Sequence, residues 1–208
     1  AEVQLSGRGS RGRTWISPFA KNIYLSLGFS IGGGVDQISG LSLVVGLAVA
    51  KALNALGIDG VGLKWPNDVM IDGKKIAGIL LELSGEATTG WNVICGVGLN
   101  VGMTEKDGEV IDQPWVALNN YMPCSRNTIA AKLVGQLISE LEKFQKGTFA
   151  DFIKEWDGYD ILRGKEIQVS PGGLVGKAMG INSQGALLIK NSEKECIVSA
   201  GEVSVRRV

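Results

Sequence analysis

Apolar residues recur at steps of three and one from Gln37 to Leu56. Leu41, Val44, Val45, Ala48, Val49, Ala52, Leu53 and Leu56 form one stripe, which Leu43 and Leu47 widen. This spacing predicts a helix packed against a sheet over much of its surface and stopped by Gly57. Asn22 to Phe29 instead alternates, with Ile23, Leu25, Leu27 and Phe29 on one face and Tyr24, Ser26 and Gly28 on the other, as in a half-buried antiparallel strand. Val61 to Trp65 is a short strand closed by Pro66, which has no N–H for a ladder, and Trp91 to Leu99 is another. A second amphipathic helix is predicted over Thr128 to Gln145, with Ile129, Leu133, Leu137 and Leu141 in line. Phe149, Phe152, Ile153 and Trp156 mark a short third helix that ends at Gly158. Gly85 to Gly90 reads as a loop, and acidic, aperiodic Met103 to Pro114 as a mobile loop and candidate lid.

From Arg163 the pattern changes to short strands: Glu166 to Ser170, Gly173 to Ile181, Ala186 to Lys190, Cys196 to Ser199 and Val203 to Val208. Gly172-Gly173 and Gln184-Gly185 supply turns. About 45 residues of this kind predict a small β-barrel, dividing the chain into a main domain, 1–160, and a barrel, 161–208. The fold class expected is α/β (α+β), with a mixed, largely antiparallel sheet packed by helices.

The stretch Lys64 to Leu80, KWPNDVMIDGKKIAGIL, carries the densest local information. Asp72-Gly73 is a two-residue hairpin signal, because both residues tolerate the positive φ of a type I′ turn. Such a turn pairs Ile71 with Lys74, Met70 with Lys75, Val69 with Ile76 and Asp68 with Ala77. Asp68, Met70, Lys75 and Ala77 then share a face. Asp68 and Lys75 become diagonal neighbours about 7–8 Å apart at Cβ, too far for a direct ion pair and wide enough for a small molecule between them. Ile76 to Leu81 continues as a strand apolar on both faces. A lysine at its mouth, facing Asn67-Asp68, suggests an anionic substrate; an isolated hairpin tip solubilised by Lys74 and Lys75 is the bland alternative.

Charge narrows the chemistry. Lys+Arg and Asp+Glu balance at 21 each, which disfavours a generic polyanion binder. There is no histidine, so Ser-His-Asp and Cys-His nucleophiles and histidine-based metal sites are excluded. Cys95, Cys124 and Cys196 are widely spaced and odd in number, as in a reducing compartment, and suggest neither a disulfide framework nor a zinc site. No signal peptide opens the sequence and no run of about 18 apolar residues is read in it, so a cytoplasmic protein without membrane insertion is expected. The glycines sit at sharp points such as Gly7, Gly9, Gly12, Gly32 to Gly34, Gly96 and Gly98, where backbone can approach a ligand.

Gly7 to Trp15, GRGSRGRTW, overlaps two phosphate-binding patterns, G-x-G-x-x-G and a near P-loop. Both require a helix directly afterwards, and Trp15-Ile16-Ser17-Pro18 does not start one. What remains is a glycine-rich loop whose Arg8, Arg11 and Arg13 could wrap a phosphate chain, or a solvated, RGG-like nucleic-acid contact. Trp115, at the far end of the acidic loop, suits either stacking on a base or stapling that loop to the core.

With GRGSRGRTW, KWPNDVMIDGKKIAGIL and GVGLN in this order, the chain closely resembles the biotin protein ligases over nearly its whole length. The resemblance implies a catalytic domain of the class II aminoacyl-tRNA synthetase type and a C-terminal SH3-like barrel. It also implies activation of biotin by MgATP to biotinyl-5′-AMP, then transfer to one lysine of a biotin carboxyl carrier domain of a biotin-dependent carboxylase. Lys75 is implied to hold the biotin carboxylate beside the α-phosphate, with Arg8 as the principal loop arginine. Asp68 is implied to accept a proton from the incoming lysine. Gln4, Gly7, Arg8, Gly9, Ser10, Lys75, Gly78 and Gly96 fall at the biotin side. Arg11, Arg13, Trp15, Asn67, Asn100 and Trp115 fall at the nucleotide side, the two tryptophans bracketing adenine.

No protein ligand for a metal is expected, ATP, Mg2+ and biotin being the small molecules required. A homodimer through sheet edges is compatible with the family. Three departures stand out. The family's upstream strand, helix and Ser-Thr-Asn segment, one wall of the biotin pocket, does not precede these residues, and a protein lacking it should bind biotin poorly. Ser10 replaces an arginine of many relatives. No helix-turn-helix is present to support DNA binding. The alternatives are a lipoate-type carboxylate-adenylating ligase, and a non-catalytic module that binds a nucleotide or a partner protein.

Overall fold

The long apolar stripe folds as helix α1, Leu41–Asn54, buried everywhere except at Ser42, Lys51 and Asn54. It starts later than the periodicity predicts because Gly40, at φ +75°, breaks the chain there, and Val35–Gln37 forms a separate 3-10 turn. These are features of a computed structural model that describes residues 1–86, 88–192, 194–201 and 203–208. By length and composition alone residues 35–54 match a membrane span, which corrects the expectation that no such run exists, but the helix itself has 14 residues. The run is apolar all round because α1 is covered on one side by helix α2, Arg126–Lys146, and on the other by a sheet.

That sheet is antiparallel. Strands β1 (Ile23–Ile31), β2 (Val61–Lys64), β3 (Asp68–Ile71), β4 (Lys74–Glu86) and β5 (Gly90–Leu99) are ordered β1-β5-β4-β3-β2. The β4–β5 connection is tighter than the loop expected over Gly85 to Gly90, since Glu86 pairs with Gly90; Ala87 lies outside the described residues. A 3-10 turn at Phe149–Phe152 runs directly into the short helix α3, Ile153–Asp157.

A second antiparallel sheet follows: β6 (Glu166–Ser170), β7 (Val175–Ile181), β8 (Leu187–Lys190), β9 (Glu195–Val198) and β10 (Ser204–Arg207), ordered β10-β6-β7-β8-β9. Its inward residues, among them Ile167, Val169, Ala178 and Leu187, join the same apolar cluster as α1 and the first sheet. The buried Trp65 indole donates to the Gly185 carbonyl at 2.9 Å, tying the first sheet to the β7–β8 turn, and Leu63 N–H donates to the Tyr159 carbonyl at 2.7 Å in the segment that leads into the second sheet.

One buried charge needs its partners. The Glu140 carboxylate on α2 is 1% exposed and meets Lys51 at 3.0 Å and Lys143 at 2.8 Å, while Lys51 also reaches Glu155 at 2.6 Å. Burial alone would raise its pKa, but the hydrogen bonds from Lys143 and Lys51 outweigh that and hold it below the ordinary glutamate value. A lowered carboxylate pKa contributes stability at neutral pH that is lost as pH falls through the folded-state value. Glu140→Gln is therefore expected to destabilise the protein at pH 7, and the gap from wild type should narrow below about pH 4. Denaturant midpoints across pH check this; a gap that stays constant with pH would contradict it.

Candidate active site

The Asp72-Gly73 turn forms as the residue types require, with φ of +50° and +76°. Ile71 pairs with Lys74 and Met70 with Lys75, as the turn predicts. Beyond them the register shifts: Val69 pairs with Ala77 and Asp68 with Gly78, which corrects the expected Val69–Ile76 and Asp68–Ala77 pairs. The extra residue is a bulge around Ile76, and a bulge inverts side-chain parity in the strand that follows. Gly78, Leu80 and Glu82, rather than Ala77 and Ile79, therefore face the same side as Lys75.

The pair expected to stand apart is nevertheless in contact, because the long lysine side chain spans the diagonal. Lys75 Nζ lies 2.5 Å from Asp68 Oδ1, with the two side chains 9% and 12% exposed. By distance this is an ion pair, although Oδ1 lacks the angular geometry of a hydrogen bond. No space for a small molecule lies between them. Lys75 is clamped on its other side as well. At the level where β5 has ended, Lys75 N–H donates to the Pro114 carbonyl and Val116 N–H to the Lys75 carbonyl, both at 2.9 Å.

Four neighbouring strands, β1, β5, β4 and β3, lay a floor in register. Tyr24, Gly98, Gly78 and Asp68 form one row, and Ser26, Gly96 and Leu80 the next. Over it lies the Gly7–Trp15 loop, a small hairpin in its own right. Arg8 bridges Thr14, Gly9 N–H donates to the Arg13 carbonyl at 2.7 Å and Trp15 N–H to the Gly7 carbonyl at 2.9 Å. The Trp15 indole rests on Gly78 and Gly98. A Cβ at Gly98 would overlap its ring, and one at Gly78 would come within 2.9 Å of it. Lys75 Nζ sits 5.5 Å from the indole centroid.

Between loop and floor is a cleft of about 650 Å³. Of the residues implied by sequence, Gln4, Arg8, Gly9, Ser10, Arg13, Trp15, Asn67, Lys75, Gly78 and Gly96 line it. Gly7 is buried at the loop's base and Arg11 is exposed at its tip, in the left-handed region. Asp68 stands behind Lys75. Asn100 is buried nearby and donates to the Val116 carbonyl at 3.2 Å, helping to hold the segment that clamps Lys75.

Trp115 does not line the cleft. It packs on Gly108, so in this state it staples its own loop and does not face Trp15 across a ligand site. That loop is not the free lid expected. Asp107 caps its 3-10 turn and accepts from Lys21 at 2.6 Å, and these bonds keep the carboxyl well below the usual aspartate range. Its next residues, Val110 to Gln113, form part of the cleft wall.

Tyr24, Ser26, Leu80, Glu82 and Asp112 are cleft or floor residues that sequence reasoning missed, while Gly98, expected only as a point of close backbone approach, lies on the floor. Strand alternation could have found the β1 and β5 members; Leu80 and Glu82 required knowledge of the bulge. The lining is mixed in charge, with Lys75, Arg8 and Arg13 against Glu82 and Asp112. Burial holds Lys64, paired with Asp68 across β2 and β3, below the ordinary lysine value, although Asp68 opposes the shift. Burial pushes the Cys95 thiol up to about 12, so it stays protonated and is no nucleophile. Among the described residues, no three acidic, cysteine or histidine side chains gather to hold a metal ion.

A roofed cleft with a buried lysine at one end and arginines on its roof can hold an anion, and comparison with known proteins gives this geometry a lineage. Residues 1–100 match the biotin/lipoate A/B protein ligase family. The chain is 34% identical to a biotin–[acetyl-CoA-carboxylase] ligase of Mycobacterium tuberculosis, over 98% of this chain and 76% of that protein. It is 37% identical to the bifunctional ligase/repressor BirA of Escherichia coli over 99% of its own length, spanning 65% of that relative. Its structure superposes on a biotin protein ligase from Aquifex aeolicus, solved in complex with biotin and ATP, with a TM-score of 0.84 and 30% identity, covering 100% of this chain and 87% of the other. The chain belongs to the biotin protein ligase family.

Proposed function

We propose that the protein is an ATP-dependent biotin protein ligase. It joins the biotin carboxylate to the α-phosphorus of ATP, releasing pyrophosphate, and passes the biotinyl group from AMP to a lysine amine of a biotin carboxyl carrier domain. The observation that carries this reading is Lys75: a buried ammonium on a residue whose backbone is bonded to Pro114 and Val116, at the wall of a cleft large enough for both substrates.

Bringing a carboxylate to a phosphate is opposed chiefly by like charge, so fixed cations shielded from water are what the first step needs, and no protein nucleophile is required. Lys75 supplies one such charge. Exchanging Asp68 for the substrate anions would free its ammonium to bridge the carboxylate and the α-phosphate. Arg8 and Arg13 reach the cleft from the loop above. Magnesium fits as an ion carried by the nucleotide's own phosphates, since it keeps most of its ligands from phosphate and water. In the second step the incoming amine must lose a proton, and Asp68, released from Lys75, is the carboxylate beside it.

Residues 1–160 form the catalytic part in this reading, and 161–208 an SH3-like module beside it that helps dock the carrier. Three free cysteines fit work in the cytoplasm. Incubation with biotin, ATP and magnesium, followed by mass spectrometry for biotinyl-5′-AMP, tests the proposal. An adenylate with biotin is expected; an adenylate with lipoate alone would assign the sister activity, and none with either would overturn the reading.

A further inference from the structure

The loop that roofs the cleft closes on itself through backbone, but its reach to the far end of the floor depends on one side chain. Arg8 Nη2 lies 2.8 Å from Glu82 Oε1 and 3.0 Å from Oε2. Glu82 faces the cleft only because of the bulge at Ile76: counted by strict alternation from Lys75 it would point to the opposite side. It stands on β4 roughly 13 Å beyond Gly78, so it marks the end of the cleft away from Lys75. Its cross-strand neighbours, Ile94 on β5 and Gly28 on β1, carry no charge, which leaves Arg8 as its described ionic partner.

We infer that Glu82 is a positioning residue for Arg8. Its carboxylate holds the guanidinium over the floor before substrate arrives, so that a loop otherwise tied down by the Trp15 ring is closed at both ends. This rests on the ligase reading for its substrate, though not for the contact itself. Glu82 touches neither reacting group and acts through Arg8. Its loss should therefore weaken capture of biotin while sparing the chemical step at Lys75.

The experiment is a double-mutant cycle with Glu82→Gln, Arg8→Ala and the pair, read in biotin-dependent adenylate formation. Glu82→Gln should raise the KM for biotin about three- to fivefold, the scale of an exposed ion pair, and change kcat less than about twofold. In the Arg8→Ala background it should change nothing further. Additive losses, or a fall in kcat with KM unchanged, would overturn the inference. Hydrogen exchange of peptide 5–15 in the ligand-free protein reads the same coupling without substrate: faster exchange in Glu82→Gln supports it, and an unchanged rate contradicts it. Should the wild type form no adenylate, the ligase reading fails while the exchange result still decides the role of Glu82.

Discussion

Lys75→Ala lowers biotin-dependent adenylate formation by about two to three orders of magnitude, the expected loss when one preorganised charge is taken from a shielded site. The clamp that places Lys75 is made of backbone, Met70 opposite on β3 and Pro114 to Val116 on the other side, so it survives the substitution. The variant should fold. It takes the cation from Asp68, a largely buried carboxylate, which costs stability and would confuse a loss of activity with a loss of protein. Two controls separate these. Thermal unfolding of Lys75→Ala should stay cooperative, and Lys75→Ala with Asp68→Asn should recover stability without recovering adenylation. Adenylate formation at the wild-type rate by a folded Lys75→Ala protein would remove Lys75 from the mechanism.

Asp68→Asn should divide the two half-reactions. The amide keeps the size of the side chain and leaves Lys75 in its clamp, so adenylation falls modestly, by about tenfold or less. Transfer to a carrier lysine loses a proton acceptor and should fall by about 10²–10⁴-fold, the usual range for a general base. Single-turnover transfer from preformed adenylate, measured beside ATP–pyrophosphate exchange, separates the steps. Equal losses in both would mean that Asp68 acts only by orienting Lys75, a role that the 2.5 Å ion pair also allows.

These two residues show how far the chain could be read before its fold was seen. Turn chemistry is local, so Asp72-Gly73 gave the hairpin tip and two pairs of its register correctly. A bulge has no comparable signature: nothing in Lys74-Lys75-Ile76-Ala77 says that one residue will be left unpaired. That single residue changed which β4 side chains face the cleft, hiding Glu82 and Leu80 from a reading by alternation. The gap expected between Asp68 and Lys75 is a contact for a different reason: the lysine side chain is long enough to cross the diagonal. The long periodic elements were legible because their pattern repeats: the second helix was expected over Thr128 to Gln145 and spans Arg126–Lys146. Element ends were not, as at Gly40, where one left-handed residue delays α1. The loop at Met103 to Pro114 looked free because polar composition does not reveal tertiary ties such as Lys21–Asp107. Spacing along the chain leaves Trp115 between two roles, because its contact with Gly108 depends on the fold.

The same geometry sets what the substrates must do on arrival. Trp15 lies on the glycine floor and Lys75 on Asp68, so both contacts belong to the ligand-free state. Gly78 and Gly98 matter because any side chain there would meet the indole. The cationic loop and the buried lysine approach the cleft from different elements, so neither alone defines the site.

In this mechanism biotin and ATP meet over that glycine floor with Lys75 between their reacting groups. A crystal structure of the protein with biotin and a non-reactive ATP analogue tests it most directly. The biotin carboxylate and the α-phosphate should both lie within about 3 Å of Lys75 Nζ, the reach of a hydrogen bond. Substrates bound elsewhere, or bound in the cleft with Lys75 still closed on Asp68, would contradict it.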